Sequence, residues 1–398
     1  TCMVWHEAQS YGWPVDCNGN AVSIIVLGMG KLGARELNFS SDIDLIFVYP
    51  QEGYTNGEQV ISNGEFFTAV CRKFLKLFSA GSHALNFYRV DTRLRPFGDG
   101  GPLIMSSQAF EEYYQAQGRE WERYAMIKAR PIAGDLEAGH SLLKSLNAFV
   151  YRRYFDYGSF DSFRDMKQRI ALQVKNKQLR HNIKLGAGGI REIEFFGQLF
   201  QLIRGGVEPK LQERKILKVL EILYRQGGIG KTPYQELTRA YDFLRKVENR
   251  LQAYADRQTH DIPQKPEQQA VLARSMGYAS WQAFSQALSD HMEKVHHHFS
   301  LLLVTDDDSE KDRELEQLKE LWVNINDPQF AASAVSIHGF EAPEKVLGLL
   351  RMLEAHPNTR KLTPNGRKKL ARLVPRLIKK IGEQPNPEDL LVQLIDLV

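Results

Sequence analysis

Apolar positions in the first hundred residues recur with two different periods. Residues 22–28 (VSIIVLG) and 42–49 (DIDLIFVY) are short runs dense in Ile and Val, as expected of buried strands. Between 64 and 80 (GEFFTAVCRKFLKLFSA), Phe67, Val70, Phe74, Leu75 and Phe78 fall three and four apart, which predicts an amphipathic helix. Residues 83–94 (HALNFYRVDTRL) alternate and predict a third strand, with Asp91 near its end. After about residue 107 the pattern becomes almost wholly helical. Leu237, Tyr241, Leu244, Val247, Leu251 and Tyr254 form the core-facing stripe of a bundle helix. Further on, RKKLARLVPRLIKKI aligns Leu370, Leu373, Val374, Leu377, Ile378 and Ile381, with seven basic residues around them. Pro375 is expected to kink that helix. TDDDSEKDRE, residues 305–314, is a charged linker. The expected class is therefore α+β: residues 1–148 mixed, 149–304 an all-helical bundle, 305–314 a linker and 315–398 a further helical segment.

The first apolar run ends in Gly28-Met29-Gly30-Lys31-Leu32-Gly33, a literal GxGxxG. A dinucleotide loop needs a helix of several turns and then a second parallel strand. Only eight residues separate Gly33 from Asp42, where the next strand begins, and a parallel crossover needs about ten to twelve. KLGAREL allows one or two helical turns. The dinucleotide reading fails on geometry. A glycine turn opening a short helix can instead bring backbone N–H groups near phosphate oxygens. Asp42 and Asp44, two apart on a strand, share a face. Adjacent carboxylates repel unless a cation lies between them, and oxygen-only ligands suit Mg²⁺ or Mn²⁺. Asp91, from a neighbouring strand, is placed to complete a two-metal site for displacement at phosphorus.

Composition narrows the class. The chain has 398 residues, 43% of them hydrophobic, with a formal net charge of +4. That charge is too small to indicate nucleic acid, and no aromatic-rich basic stripe appears. No apolar stretch suffices to span a bilayer, and no secretory leader opens the chain. Three cysteines without a CxxC pair fit a reducing, cytoplasmic setting. Thr1 in place of Met is expected of an excerpt from a longer protein.

Gly28-x-Gly30, eleven residues, Asp42-x-Asp44 and then Asp91 resembles the nucleotidyltransferase superfamily of DNA polymerase beta type. The strings GMGKLGARELNFSSDIDLIF, YRVDTRLRPFGDGGPL, YYQAQGREWERYAMIKARPIAGD and NIKLGAGGIREIEF are similar to those of the bacterial glutamine synthetase adenylyltransferase/adenylyl-removing enzymes. The resemblance runs through residues 1–303 and implies a polymerase-beta-like catalytic domain followed by the bundle. The adenylyl-transferring half of that family usually has Gly-Tyr where this chain has Asn38-Phe39, and often Leu at Ile43. NFSSDIDLIF therefore resembles the N-terminal, adenylyl-removing half. The implied reaction is phosphorolysis of adenylyl-tyrosine on adenylylated glutamine synthetase, with inorganic phosphate consumed and ADP released. ATP-dependent adenylylation, or a regulatory module responding to the PII signalling protein (the uridylylated form being the expected one), are the alternatives. Neither nucleic acid nor membrane is an expected partner.

The resemblance assigns catalysis and metal binding to Asp42, Asp44 and Asp91. Nucleotide or phosphate contacts are expected from Gly28, Gly30, Ser41, Arg93 and Arg95, the two arginines sharing the face of Asp91 by alternation. A second cluster, Lys184, Gly186, Gly188, Gly189, Arg191 and Glu192, resembles a pattern in PII uridylyltransferases and reads as an anion site at a helix start that closes over the cleft. Lys128 and Arg130 are further candidates for reaching a phosphate, whereas Trp121 and Tyr124 read as packing. Ser40 and Ser41 are expected to end the short helix. His296, His297 and His298, being consecutive, splay around a helix and are expected in solvent rather than in a metal cage. The family often has a glycine where Ala34 stands; a positive φ there would strain alanine.

Overall fold

The computed structural model describes residues 2–38, 40–79, 89–151, 181–254, 259–302, 318, 320–325, 340 and 342–396. Thus part of the expected third strand (83–88) and the charged linker (305–314) lie outside the described residues. The chain divides into two units, Thr1–Leu302 and Leu303–Val398.

In the first unit a helix, α1 (Cys2–Tyr11), precedes β1 (Pro14–Val15), and β2 (Ile25–Gly28) leads into the single-turn helix α2 (Gly30–Gly33). β3 (Ile43–Tyr49) returns antiparallel to β2, with Gly28 opposite Leu45. That pairing excludes the parallel crossover of a dinucleotide fold. β4 (Tyr54–Thr55) pairs with β1 as a small ribbon, and α3 (Asn63–Ser79) packs on the sheet. Phe66, Phe67, Val70 and Cys71 are the buried face of α3, against Leu45, Phe47 and Tyr49 of β3.

β5 (Val90–Asp91), the described part of the expected third strand, and β6 (Ile104–Ser106) both run parallel to β3, and β7 (Arg130–Gly134) pairs antiparallel with β2; β1, β4, β6 and β7 all lie beyond the expected pattern. The sequence conceals β7 because Pro131 sits in it, beside a register shift between Val26 and Leu27. β6 is only three residues long and too short to show a period. So the region after residue 107 is not purely helical. The third strand also stops at Asp91, because residues 92–97 turn.

Helices α4 (Ser107–Ala116), α5 (Glu120–Met126), α6 (Leu136–Ser145) and α7 (Asn147–Val150) surround the sheet. The bundle follows as α8 (Ile190–Arg204), α9 (Ile216–Arg225), α10 (Lys231–Ala253), α11 (Pro266–Ser275) and α12 (Trp281–Leu301). α10 buries Leu237, Tyr241, Leu244, Val247 and Leu251, as its spacing predicts. Tyr254 departs from the stripe: the helix has ended and the ring is exposed.

In the second unit, α13 (Pro343–Ala355), α14 (Pro357–Arg360), α15 (Pro364–Gly382) and α16 (Pro387–Asp396) enclose their own core. α15 continues through Pro375 and buries Val374, Ile378 and Ile381. Leu373 is exposed, so the apolar face is narrower than the spacing suggests.

Leu244 is fully buried at the centre of the bundle. Leu244→Ala is expected to cost about 2–5 kcal/mol, read as a lower urea midpoint. Tyr254→Ala should stay within about 0.5 kcal/mol of the parent.

Candidate active site

The hairpin between β2 and β3 sets the geometry. Met29 N–H donates to the Asp44 carbonyl at 2.9 Å, which lays the glycine turn beside the second aspartate. A Cβ on Gly30 would stand 2.8 Å from Asp44 Oδ2, and Gly30 has φ +52°, so only glycine is comfortable there. β5 sets Asp91 in parallel register with Asp44, and residues opposite each other in a ladder point to one face. Asp42 lies just before β3, two residues ahead of Asp44, and its charge acts on Asp44. The three acids are therefore neighbours on one side of the sheet.

Asp44 records that proximity. Burial, then the charge of Asp91, then that of Asp42, lift its carboxyl from the ordinary 3.8 to about 6. The outer two are engaged by guanidinium groups: Arg89 Nε donates to Asp42 at 2.7 Å, and Arg93 forks onto Asp91, its Nη2 at 2.6 Å. Among the described residues, no group of three acidic, histidine or cysteine side chains is arranged as a ready metal cage. The donor chemistry nonetheless fits a hard divalent ion, since three carboxylate groups crowd one place and charging the central one is opposed by its neighbours.

Asp42 and Asp44 open into a cleft of about 400 Å³ between the sheet and the bundle. Gly30, Lys31, Ser40 and Ser41 line it from the sheet side, with Tyr124 and Lys128; Lys184, Glu194, Gln198, Arg245, Gln252 and His260 line it from the bundle side. A larger cavity, about 740 Å³, lies elsewhere, between His181, Trp281 and Met292, and contains none of the three aspartates. The chemistry gathers in the smaller one.

A buried ionic network joins the two walls. Glu248, on α10, accepts Lys31 Nζ at 2.8 Å, Arg245 Nη1 at 2.7 Å and Asn38 Nδ2 at 3.1 Å, and lies 3.2 Å from His260 Nδ1. Burial raises the carboxyl, but His260, Arg245 and Lys31 together hold it far below the ordinary range. Asn38 also bonds the Ser41 hydroxyl, which fixes the approach to Asp42. Burial, then the charge of Arg245, press Lys31 down to about 8 against the pull of Glu248. Glu194 takes Lys128 Nζ at 2.7 Å; burial opposes its charge, yet Lys128 and Arg245 hold its carboxyl at about 2. Lys184 differs from these. It lines the cleft and its charge acts on Asp44, and among the described residues its Nζ makes no hydrogen bond or ion pair.

Several expected site residues have structural work instead. Arg95 is turned inward, donating to the Thr92 and Pro102 carbonyls, and does not share the face of Asp91 because the strand has ended. Arg130 closes the end of α2 through the Gly33 and Leu32 carbonyls. Gly28 packs against Ile132. The loop at 184–192 is not an open anion cradle. Gly188 N–H goes to Glu192 Oε2, Gly189 N–H to Gly186 O, and Arg191 N–H to Lys184 O. Gly188, at φ +71°, is required because a Cβ would meet Met292 O at 1.8 Å. Arg191 and Arg93 do not line the cleft, whereas Ser41 does.

Other local expectations also change. Ser40 and Ser41 do not end α2, which stops at Gly33; they are buried beside the cleft. Ala34 has φ −75°, and the left-handed residue is Arg35 at φ 59°. The histidines splay, but His298 is buried on Glu236 and His296 bonds Glu192. Tyr124 stacks on Phe195 at 5.6 Å, a packing contact as expected, while Trp121 is exposed.

A family described as Glutamate-ammonia ligase adenylyltransferase matches residues 1–145, and one described as GlnD PII-uridylyltransferase matches residues 164–303. The chain is 45% identical over 401 residues to the bifunctional glutamine synthetase adenylyltransferase/adenylyl-removing enzyme of Nitrosococcus oceani, covering all of this chain and 41% of that protein. The enzymes of the same name from Thioalkalivibrio sulfidiphilus and Pseudomonas aeruginosa are 41% and 42% identical, each over 98% of this chain and 41% of their own length. The chain belongs to this family. It spans about two fifths of the length of these relatives. Among the described residues, no helix is long and apolar enough to cross a membrane.

The Glu194 carboxyl lies below its ordinary 4.5, so its stabilisation is complete above pH 4.5 and is lost as pH falls toward 2. Glu194→Gln is expected to be less stable than the parent at pH 7. Its urea midpoint should also fall less between pH 5 and pH 3.

Proposed function

We propose that residues 1–302 form a polymerase-beta-like nucleotidyltransferase unit that removes adenylyl groups from glutamine synthetase. The observation that carries this reading is the register of Asp91 with Asp44, together with Asp42 and Asp44 lining a cleft whose opposite wall presents Lys184. In the reaction, an oxygen of inorganic phosphate attacks the phosphorus of adenylyl-tyrosine. The bond from phosphorus to the tyrosyl oxygen breaks, that oxygen takes a proton, and ADP leaves.

Asp42, Asp44 and Asp91 are the residues that would hold Mg²⁺ or Mn²⁺, which supplies positive charge against the build-up on the transferred phosphoryl group. Lys184 is the cation for the incoming phosphate, since its ammonium is not committed to a protein carboxylate. Lys31 and Lys128 are spent on Glu248 and Glu194 and shape the field instead. Gly30 leaves room beside Asp44 for phosphate oxygens. Catalysis here is positioning and electrostatics, with no covalent nucleophile required.

The relatives carry both activities in their name, so ATP-dependent adenylylation is the second reading. Asn38 favours removal: it is the residue that differs from the usual Gly-Tyr of the transferring half, and it is bonded to both Ser41 and Glu248. The bundle matches a PII-uridylyltransferase family, which supports a PII-type protein as a partner. The setting proposed is the cytoplasm.

Adenylylated glutamine synthetase incubated with the chain should yield ADP only when phosphate and a divalent ion are both present. Labelled ATP with unmodified synthetase should leave no label on the protein. Labelling without ADP release would reverse the assignment. Asp44→Asn is expected to lower the rate by ~10³-fold, and an unchanged rate would remove the site. Lys184→Ala should raise the KM for phosphate by roughly tenfold or more, with the melting temperature preserved.

A further inference from the structure

The bundle wall of the cleft holds a polar group that nothing among the described residues satisfies. Gln252 is 1% exposed, lines the cleft, and its Oε1 has no hydrogen-bond partner. Buried carboxamides are ordinarily paired, so an unpartnered one in the wall of a cavity calls for a ligand donor. Among the described residues its Nε2 makes no hydrogen bond either, so both ends of the carboxamide lack a partner there.

Its position relative to the acids is defined. Gln252 follows Glu248 by four on α10, so the two side chains lie on one face, a turn apart. Glu248 binds Lys31, and Lys31 adjoins Gly30, which touches Asp44. The amide therefore sits one helical turn beyond the ion network that borders the carboxylates. Gln198, four residues after Glu194 on α8, contributes a second carboxamide to the same wall. In a cleft otherwise lined largely by charge, Leu94, Ala125 and Tyr124 supply surface that suits a flat ring.

A carboxamide matches adenine in a specific way. Its oxygen accepts from the 6-amino group while its N–H donates to the neighbouring ring nitrogen. We propose that Gln252 reads the adenine base of the adenylyl group, so that the bundle wall selects the nucleotide while the sheet wall performs the phosphorus chemistry. This rests on the reading of the cleft as an adenylyl site.

The test compares ADP with purine riboside 5′-diphosphate, which lacks only the 6-amino group, by calorimetric titration of the 398-residue chain in Mn²⁺. The parent should favour ADP by about tenfold or more. In Gln252→Ala the preference should fall below about threefold, through weaker ADP binding with little change for the analogue. Gln252→Met, which keeps length and volume, should behave the same, and its melting curve guards against a folding artefact. Selectivity that survives in both variants would overturn the role of Gln252 and leave the adenylyl reading standing. Failure of the parent to bind either nucleotide would overturn both.

Discussion

A carboxylate placed out of reach of water raises the free energy of a fold unless donors surround it, and Glu248 shows how completely this chain meets that demand. Lys31, Asn38, Arg245 and His260 converge on it from three separate stretches of sequence. Two of those donors belong to the hairpin that carries the aspartates. The position of Asp42 and Asp44 is thus referred to a helix of the bundle more than two hundred residues later. Remove the carboxylate and all four of these groups lose a shared partner together.

The same network explains how opposite charges share one narrow space. On the sheet side, burial and mutual repulsion make Asp44 reluctant to ionise. On the bundle side, Glu194 is held ionised by Lys128 and Arg245. The two carboxyls lie in one cleft yet are biased in opposite directions, because one is surrounded by acids and the other by bases. One wall therefore resists further negative charge, while the other has its charges already balanced.

Much of the sheet wall was legible in sequence, because Asp-x-Asp on an Ile- and Val-rich strand after a glycine turn fixes faces through local geometry alone. The amphipathic helices were legible for the same reason. The bundle wall was not. Glu248, Gln252 and Arg245 interrupt or adjoin the stripe of Leu244, Val247 and Leu251, and polar groups at buried positions were the signal that was available. β7 was hidden by Pro131, and the glycines at 188 and 189 read as an anion loop until the approach of the Met292 backbone accounted for the first of them. His298 shows the same limit, since its carboxylate partner lies 62 residues away in sequence. What depends on distant segments meeting cannot be read from spacing.

The irregularity of β7 has one more result. An exposed sheet margin offers unpaired amides to any passing chain, which is a route to aggregation. Here the outermost strand on one side carries a proline and a register shift, so it has a missing donor and a broken ladder where a second molecule would have to zip on. On the other side, β3 is flanked by two short strands, Ile104–Ser106 and Val90–Asp91, the latter followed at once by a turn and by the ion pair of Asp91 with Arg93. The proline and register shift that conceal this strand in the sequence also make it a poor template for a second copy of the chain.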